Sequence, residues 1–353
     1  MSKVYRHLFL RVCAWDNLMT AWRKACKGKR GPPPAATFEL RAGEHLLEIQ
    51  SELQAKSYRP DAYVSFYIHD PKHRLISAAP FRDRVVHHAL CNVIEPLFER
   101  RFIHDSYANR PGKGTHAALD RSQRFARRYR YVLQCDVAQF FPAIDHALLL
   151  ETLGRVVVDP DVLCLCAAIL ASGRDVLAGE YDMHYFPGDD LLAALRPRGL
   201  PIGNLTSQFW ANVYLDRLDH FVKRELKCPA YLRYVDDFLL FADDKPTLWA
   251  WRRAIIDYLA GLRLTLHEAR CHPQPVTEGI PFLGFVIYPD HRLLKRRKGI
   301  AYRRRLRVLV GDYRARRIPL ARVTASVQGW VNHARYADTY GLRKALLRQA
   351  LAK

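Results

Sequence analysis

The chain has 353 residues, 49% of them hydrophobic and 11% aromatic, which is enough apolar material for two or three packed subdomains and excludes a disordered polymer. Its 56 Lys and Arg against 35 Asp and Glu leave a formal charge of +21, whose natural counterpart is the phosphate backbone of a nucleic acid. No run of about 18 apolar residues offers a membrane span, and MSKVYRHLFLRVCAWDN is charged too early for a secretory leader, so a cytoplasmic protein without membrane contact is expected.

In chain order, WDNLMTAWRKACKGKR (15–30) predicts a basic amphipathic helix, and GPPPAA (31–36) a linker that ends it. A second helix is expected from near Phe38 to Ala55. YVSFYIHDPKHRLISAAP (63–80) predicts two strands joined at Asp70 and Pro71, with Lys72, His73 and Arg74 on the return. Residues 81–102 carry helical periodicity, and SYANRPGKG sets a Gly-rich turn before another helix that runs to 130. Strands are predicted at 131–137 and 231–241, and helices over 204–226 and 246–262. Residues 286–353 hold 18 Lys and Arg against Asp290, Asp312 and Asp338. There KRRKG (295–299) and YRRRLRVLV (302–310) alternate cations with Leu, Val and Tyr, predicting a helix that packs one face and offers the other to phosphate. Leu306, Val310, Trp330, Val331 and Leu342 make this segment too apolar for a solvated tail. The whole reads as an α+β fold. Eight Cys (13, 26, 91, 135, 164, 166, 228 and 271) show no CxxC or zinc-like spacing and are expected as reduced core thiols.

The chemistry concentrates in three acids. Within YLRYVDDFLLF (231–241), Asp236 and Asp237 lie between two apolar runs, and YVLQCDVAQFF supplies Asp136. Clustered carboxylates among apolar side chains are costly unless a cation neutralises them, which points to divalent metal. A helix cap is a poor account of Asp136, given the strand-like YVLQC before it and the aromatic pair after it.

Seven segments in order, PKHRLISAAPFRDRVVHHAL, DSYANRPGKGTHAAL, QCDVAQFFPAIDH, GLPIGNLTSQFWANVYLDRLD, YVDDF, LRLTLHEAR and FLGF, resemble the sequence blocks of reverse transcriptases over roughly 63–285. The resemblance implies a right-hand polymerase: an N-terminal helical extension (1–62), fingers (63–130), a palm whose antiparallel sheet carries the acids (131–285) and a basic helical thumb (286–353). It implies that Asp136, Asp236 and Asp237, with the backbone carbonyl of Val137, hold two Mg2+ ions, with Mn2+ as an alternative, and that Asp237 acts from behind the other two. Lys72 and Arg74 would grip the triphosphate, Arg110 would touch template or nucleotide, and Phe141 would exclude a 2′-OH, while Phe140 is core. Gly203 and Gln208 would border the nascent pair. Lys295, Arg296, Arg297, Lys298, Arg303, Arg304, Arg305 and Arg307 would grip the RNA–DNA hybrid. Template RNA and dNTPs are the implied partners.

The fourth block departs from the common Gln-Gly and Ser-Pro pattern, reading Ile202-Gly203 and Ser207-Gln208. This IGNLTSQ form resembles the error-prone enzymes of diversity-generating retroelements, whose relatives use a structured non-coding RNA and a small basic accessory protein. Ile202 removes an amide near the templating pair and so bears on fidelity. Arg270 stands near where many relatives have Lys; a guanidinium is a charge stabiliser and a poor proton donor. No block resembles the nuclease region of mobile intron proteins or a retron-like VTG, so self-mobility is not expected. The alternatives are a defence-associated (antiviral) reverse transcriptase and, remotely, a non-catalytic RNA-binding relative.

Overall fold

A computed structural model describes residues 4–28, 33–69 and 73–351. The N-terminal part is a helical layer: α1 (Phe9–Cys13), α2 (Trp15–Cys26), α3 (Pro33–Leu40) and α4 (Ala42–Gln54). The expected single helix from Phe38 to Ala55 is therefore two helices, interrupted at Arg41, whose backbone leaves the helical region. Nor is the Pro-rich stretch all linker, because proline is tolerated in a first helical turn and Pro33 begins α3. Asp159 ties this layer down: its carboxylate accepts from Leu8 N (2.6 Å) and Phe9 N (3.0 Å) while capping a later helix.

The hairpin follows as β1 (Val64–Ile68) and β2 (Arg74–Ala78), antiparallel with Val64 opposite Ala78. Its turn, with Asp70, Pro71 and Lys72, lies outside the described residues. Next come α5 (Phe81–Glu99), α6 (Thr115–Arg128), β3 (Tyr131–Asp136), α7 (Phe140–Ala143), α8 (His146–Gly154) and α9 (Pro160–Ser172). Two short 3-10 turns (Ala178–Glu180, Leu191–Leu195) precede the long α10 (Leu205–Arg224). The strand pair β4 (Tyr231–Tyr234) and β5 (Asp237–Ala242), then α11 (Lys245–Gly261) and β6 (Pro273–Pro275), complete a sheet of order β4-β5-β3-β6, antiparallel throughout.

This sheet is covered on both faces, which is why its strands read as continuous apolar runs. Leu133, Cys135, Phe238 and Leu240 enter one core with α5 and α10, while Val132, Leu232, Leu239 and Phe241 enter a second. The second core contains β7 (Ile280–Phe282) and β8 (Phe285–Ile287), which with β9 (Arg292–Leu294) form a separate three-stranded sheet. The basic C-terminal segment thus opens on strands before it becomes helical. Its helices α12 (Arg296–Arg314), α13 (Leu320–Ala334) and α14 (Tyr340–Leu351) share a small core in which Tyr302 stacks on Trp330 at 4.4 Å. Among the described residues no helix is long and apolar enough to cross a membrane. Seven cysteines are buried as expected, but Cys164 is exposed.

Candidate active site

The acids meet where β3 ends and the β4–β5 turn begins. Asp136 is the direct cross-strand partner of Asp237, on the sheet face shared with Val132, Leu239 and Phe241. Side chains directly opposite on one face have Cβ atoms about 4.5–5.5 Å apart. Asp237, given a supporting role from sequence alone, is therefore the residue facing Asp136, and all three acids are half-buried.

Tyr234 pairs with Asp237, so Val235 and Asp236 form a two-residue turn. Val235 has φ +59°, the sign that a type II′ turn requires at its first central position and that glycine normally supplies. A β-branched residue there carries strain of about 1–3 kcal/mol, so its surroundings must hold it. They do so through both turn carbonyls: Arg233 Nη1 donates to Val235 O (2.9 Å), and Val137 N donates to Asp236 O (3.3 Å).

Arg233 is fully buried on the sheet face opposite the acids. It makes a bidentate pair with the equally buried Asp219 of α10, Nε to Oδ1 and Nη2 to Oδ2 both at 2.7 Å, and its Nη1 also reaches Asn212 Oδ1 at 3.1 Å. The Tyr231 hydroxyl donates to Asp219 at 2.7 Å. Sequence reasoning missed this clamp. The available signal was the placement of Arg233 two residues from Tyr231 on one strand face, opposite a helix carrying an acid among apolar residues.

The neighbouring Asp216 is mostly buried, and burial followed by the Asp219 charge pushes its carboxyl up to about 7. The segment after α11 holds Asp136 from the other side: His267 N donates to Asp136 O at 2.9 Å and Ala138 N to Thr265 O at 2.8 Å. Arg270 follows on an exposed 3-10 turn (Glu268–Arg270).

Phe140 is buried, as expected, while Phe141 is half-exposed. Leu200 N donates to Phe141 O at 2.9 Å, which brings the 200–204 loop to α7, just beyond the acid-bearing strand. That loop also docks on the hairpin. Ser77 N donates to Ile202 O at 2.8 Å, and Asn204 bridges Ser77 O and Ala79 N at 2.8 and 3.0 Å. Gly203 sits at φ +119°, where a Cβ would lie 3.0 Å from Ile76 Cγ2. The hairpin bearing exposed Arg74, the Ile202-Gly203 turn and the acids are thus joined by consecutive contacts, and Gln208 is exposed on the first turn of α10.

Arg110 departs from expectation. Its Nε reaches both Glu99 oxygens at 3.0 Å, and its Nη1 donates to the carbonyls of Ile103 (2.7 Å) and Ser106 (2.9 Å). With its side chain only 6% exposed, it braces the turn before α6. Lys72 lies outside the described residues. Arg296, Arg297, Arg303, Arg304, Arg305 and Arg307 are exposed on α12, with Lys298 half-buried and Lys295 preceding the helix.

Among the described residues no three His, Cys, Asp or Glu side chains form a self-sufficient metal-ligand group. The acid set nevertheless fits Mg2+, which is commonly held by one or two carboxylates together with substrate phosphates and water.

The architecture and its acid-bearing hairpin are those of an α+β polymerase domain. The chain belongs to the reverse transcriptase (RNA-dependent DNA polymerase) family, whose model matches residues 68–287. It is 25% identical to Protein YkfC of Escherichia coli over 300 residues, 74% of each chain. It is 26% identical over 227 residues to the group II intron-encoded protein LtrA of Lactococcus lactis subsp. cremoris, covering 63% of this chain and 35% of LtrA. Nuclear intron maturase 1, mitochondrial, of Arabidopsis thaliana is 26% identical over 205 residues, 52% of this chain and 29% of the maturase. The chain therefore spans about a third of either intron protein.

Proposed function

We propose that this protein is an RNA-directed DNA polymerase that copies a template RNA into cDNA. The observation that carries the reading is the register that sets Asp136 opposite Asp237 with Asp236 in the adjoining strained turn. Asp136, Asp236, Asp237 and the Val137 carbonyl would hold Mg2+. When bound, the metal supplies a lowered pKa for the primer 3′-OH and neutralisation of the charge developing on the triphosphate.

The protein residues supply position. The Arg233 clamp holds the turn so that the acids are oriented before substrate arrives, and positioning accounts for much of the catalysis in phosphoryl transfer. Phe141 would lie under the sugar and exclude a 2′-OH. Arg74 of the hairpin would contact the triphosphate, and exposed Arg270 would stabilise charge on the leaving group. In this reading β1–β2 belongs to the fingers, the four-stranded sheet to the palm, and α12 to a thumb whose exposed arginines track the hybrid's phosphates.

The finer reading is the error-prone enzyme of a diversity-generating retroelement, supported by Ile202 in the turn before α10 and Gln208 on the first turn of that helix. With Ile where an amide is common, discrimination at the templating pair would rest on shape. The similarity to a group II intron-encoded protein and to an intron maturase supports a second reading, a non-catalytic RNA-binding role in intron handling.

Primer extension on a defined RNA with Mg2+ and dNTPs, followed by product sequencing, separates the readings. Asp236→Asn is expected to lower extension by roughly a thousandfold, as losing several kcal/mol of charge stabilisation requires. Errors clustered opposite adenine, reduced in Ile202→Gln, support the retroelement enzyme; an unchanged error spectrum rejects that role for Ile202. Wild-type protein that binds RNA but makes no Asp236-dependent product supports the intron-handling reading.

A further inference from the structure

Strand β3 is flanked by β5 and β6, and its end turns Cys135 into the core shared with α5 and α10 while the next residue, Asp136, takes the opposite face. Continuing the β3–β6 register by two residues brings Cys271 opposite Cys135, and their Sγ atoms lie 2.9 Å apart. Both thiols are buried, but Cys271 directly follows the 3-10 turn Glu268–Arg270 and is followed by His272, all exposed. It therefore sits one residue inside a surface turn, and local opening of such a turn does not require the sheet to unfold.

The two thiols are also chemically distinct from the rest. Burial pushes the thiols of Cys13, Cys91, Cys166 and Cys228 up. Cys271 moves the other way: the hydrogen bond from Cys135 and the neighbouring Arg252 guanidinium lower it in spite of burial. Arg252 is fixed beneath the turn by Glu268, whose Oε2 accepts from Nη2 at 2.7 Å. A thiol beside a cation and within reach of a second thiol can attack an oxidant and then be resolved by its neighbour.

We propose that Cys135 and Cys271 form a reversible redox switch, closed to a disulfide by a hydroperoxide, that slows DNA synthesis while the bond is in place. The slowing rests on the polymerase reading given above, whereas formation of the disulfide does not. The Cys271 sulfur attacks one peroxide oxygen, the O–O bond breaks, and Cys271 becomes a sulfenic acid as hydroxide leaves. The Cys135 sulfur then attacks Cys271, the S–S bond forms and the S–O bond breaks, and the departing oxygen leaves as water. With hydrogen peroxide, two thiols lose two electrons and two protons and the peroxide becomes two waters. Exchange with a dithiol reverses the reaction.

A disulfide needs its sulfurs at about 2.05 Å, nearer than the two now stand. With β3 held between two strands, the displacement falls on the turn. That turn carries Arg270, and the residue before it, His267, donates its N–H to Asp136 O at 2.9 Å. Misplacement by about 1 Å can cost on the order of a hundredfold in rate.

The test treats the full chain with hydrogen peroxide in a Cys164→Ser background, which removes the exposed thiol, and maps unreduced peptides by mass spectrometry. Primer extension on RNA is measured before oxidation, after it, and after dithiothreitol. Expected are a Cys135–Cys271 linked peptide, amide exchange slowed over 267–272, and extension reduced by roughly ten- to a hundredfold and restored by the dithiol. Cys271→Ser should extend equally well before and after peroxide; reversal by dithiothreitol in the unsubstituted pair gives the same information if that variant does not fold.

Absence of the linked peptide would overturn the proposal, as would a linked protein that extends at the reduced rate. Inhibition shared by a folded Cys271→Ser would assign the effect to another residue and overturn it as well. Reduced protein is compared with Asp236→Asn in parallel. Failure of the polymerase reading would appear there as absent Asp236-dependent synthesis, while peptide mapping and amide exchange decide the disulfide separately.

Discussion

Replacing Arg233 with methionine would remove both bonds to Asp219, the bond to Asn212 and the bond to the Val235 carbonyl. Asp219 would remain fully buried with the Tyr231 hydroxyl as a surviving partner. Breaking a buried pair by deleting one charge typically costs about 3–5 kcal/mol. With an unfolding entropy of about 2.1 cal/mol/K per residue, 353 residues give roughly 0.7 kcal/mol per degree, so the midpoint should fall by about 4–7 °C. The double variant Arg233→Met/Asp219→Leu carries no orphaned charge and should recover most of this loss. A deficit of about 1–2 kcal/mol should remain from the unpaired Tyr231 and Asn212 groups.

Extension should behave differently from stability. In both variants the Val235 carbonyl loses its guanidinium, and relaxation of about 1–3 kcal/mol of turn strain would move Asp236. A rate reduction of roughly 5- to 150-fold is therefore expected in the double variant as well as in the single. The assays are scanning calorimetry and single-turnover primer extension. A double variant that extends at the wild-type rate would refute the claim that Arg233 holds the turn, and a single variant losing under about 1 kcal/mol would refute the burial argument.

Three further outcomes are expected. Gly203→Ala should cost about 1–3 kcal/mol by thermal unfolding, because φ +119° is strained for any side chain and the new Cβ presses on Ile76; wild-type stability would mean that the turn relaxes freely. Asp216 has a folded pKa raised to about 7 from 3.8, so the native state binds more protons than the unfolded one between those values and stability declines as pH rises through that window. Asp216→Asn should therefore stabilise the protein near pH 8 and leave it unchanged near pH 4, on the order of a few kcal/mol apart; equal shifts at both pH values in denaturant titrations would disprove this origin. Phe141→Ala should improve rNTP use relative to dNTP by roughly ten- to a hundredfold in competing-substrate extension, a steric discrimination of ordinary size; an unchanged ratio would remove Phe141 from sugar selection.

Much of this protein was legible before any coordinates. The acids, the hairpin over 63–80, the helices near 81–102 and 204–226 and the strands at 131–137 and 231–241 follow from local pattern, because strand and helix periods are written in adjacent residues. The +21 charge and its concentration after residue 286 are likewise properties of composition. What local pattern does not carry is partnership across distance. Arg110 reads as a free cation until Glu99 and two carbonyls surround it, and Arg233 reads as a strand-edge cation until α10 places Asp219 against it. Asp136 and Asp237 are 101 positions apart, and only the β3–β5 register decides that they face each other and not their neighbours, since a slip of one residue would turn either to the opposite face. The residue types and their local periods belong to the chain, whereas register, burial and the destination of each buried hydrogen bond are settled only when the elements pack, because those energies depend on neighbours that sequence does not adjoin.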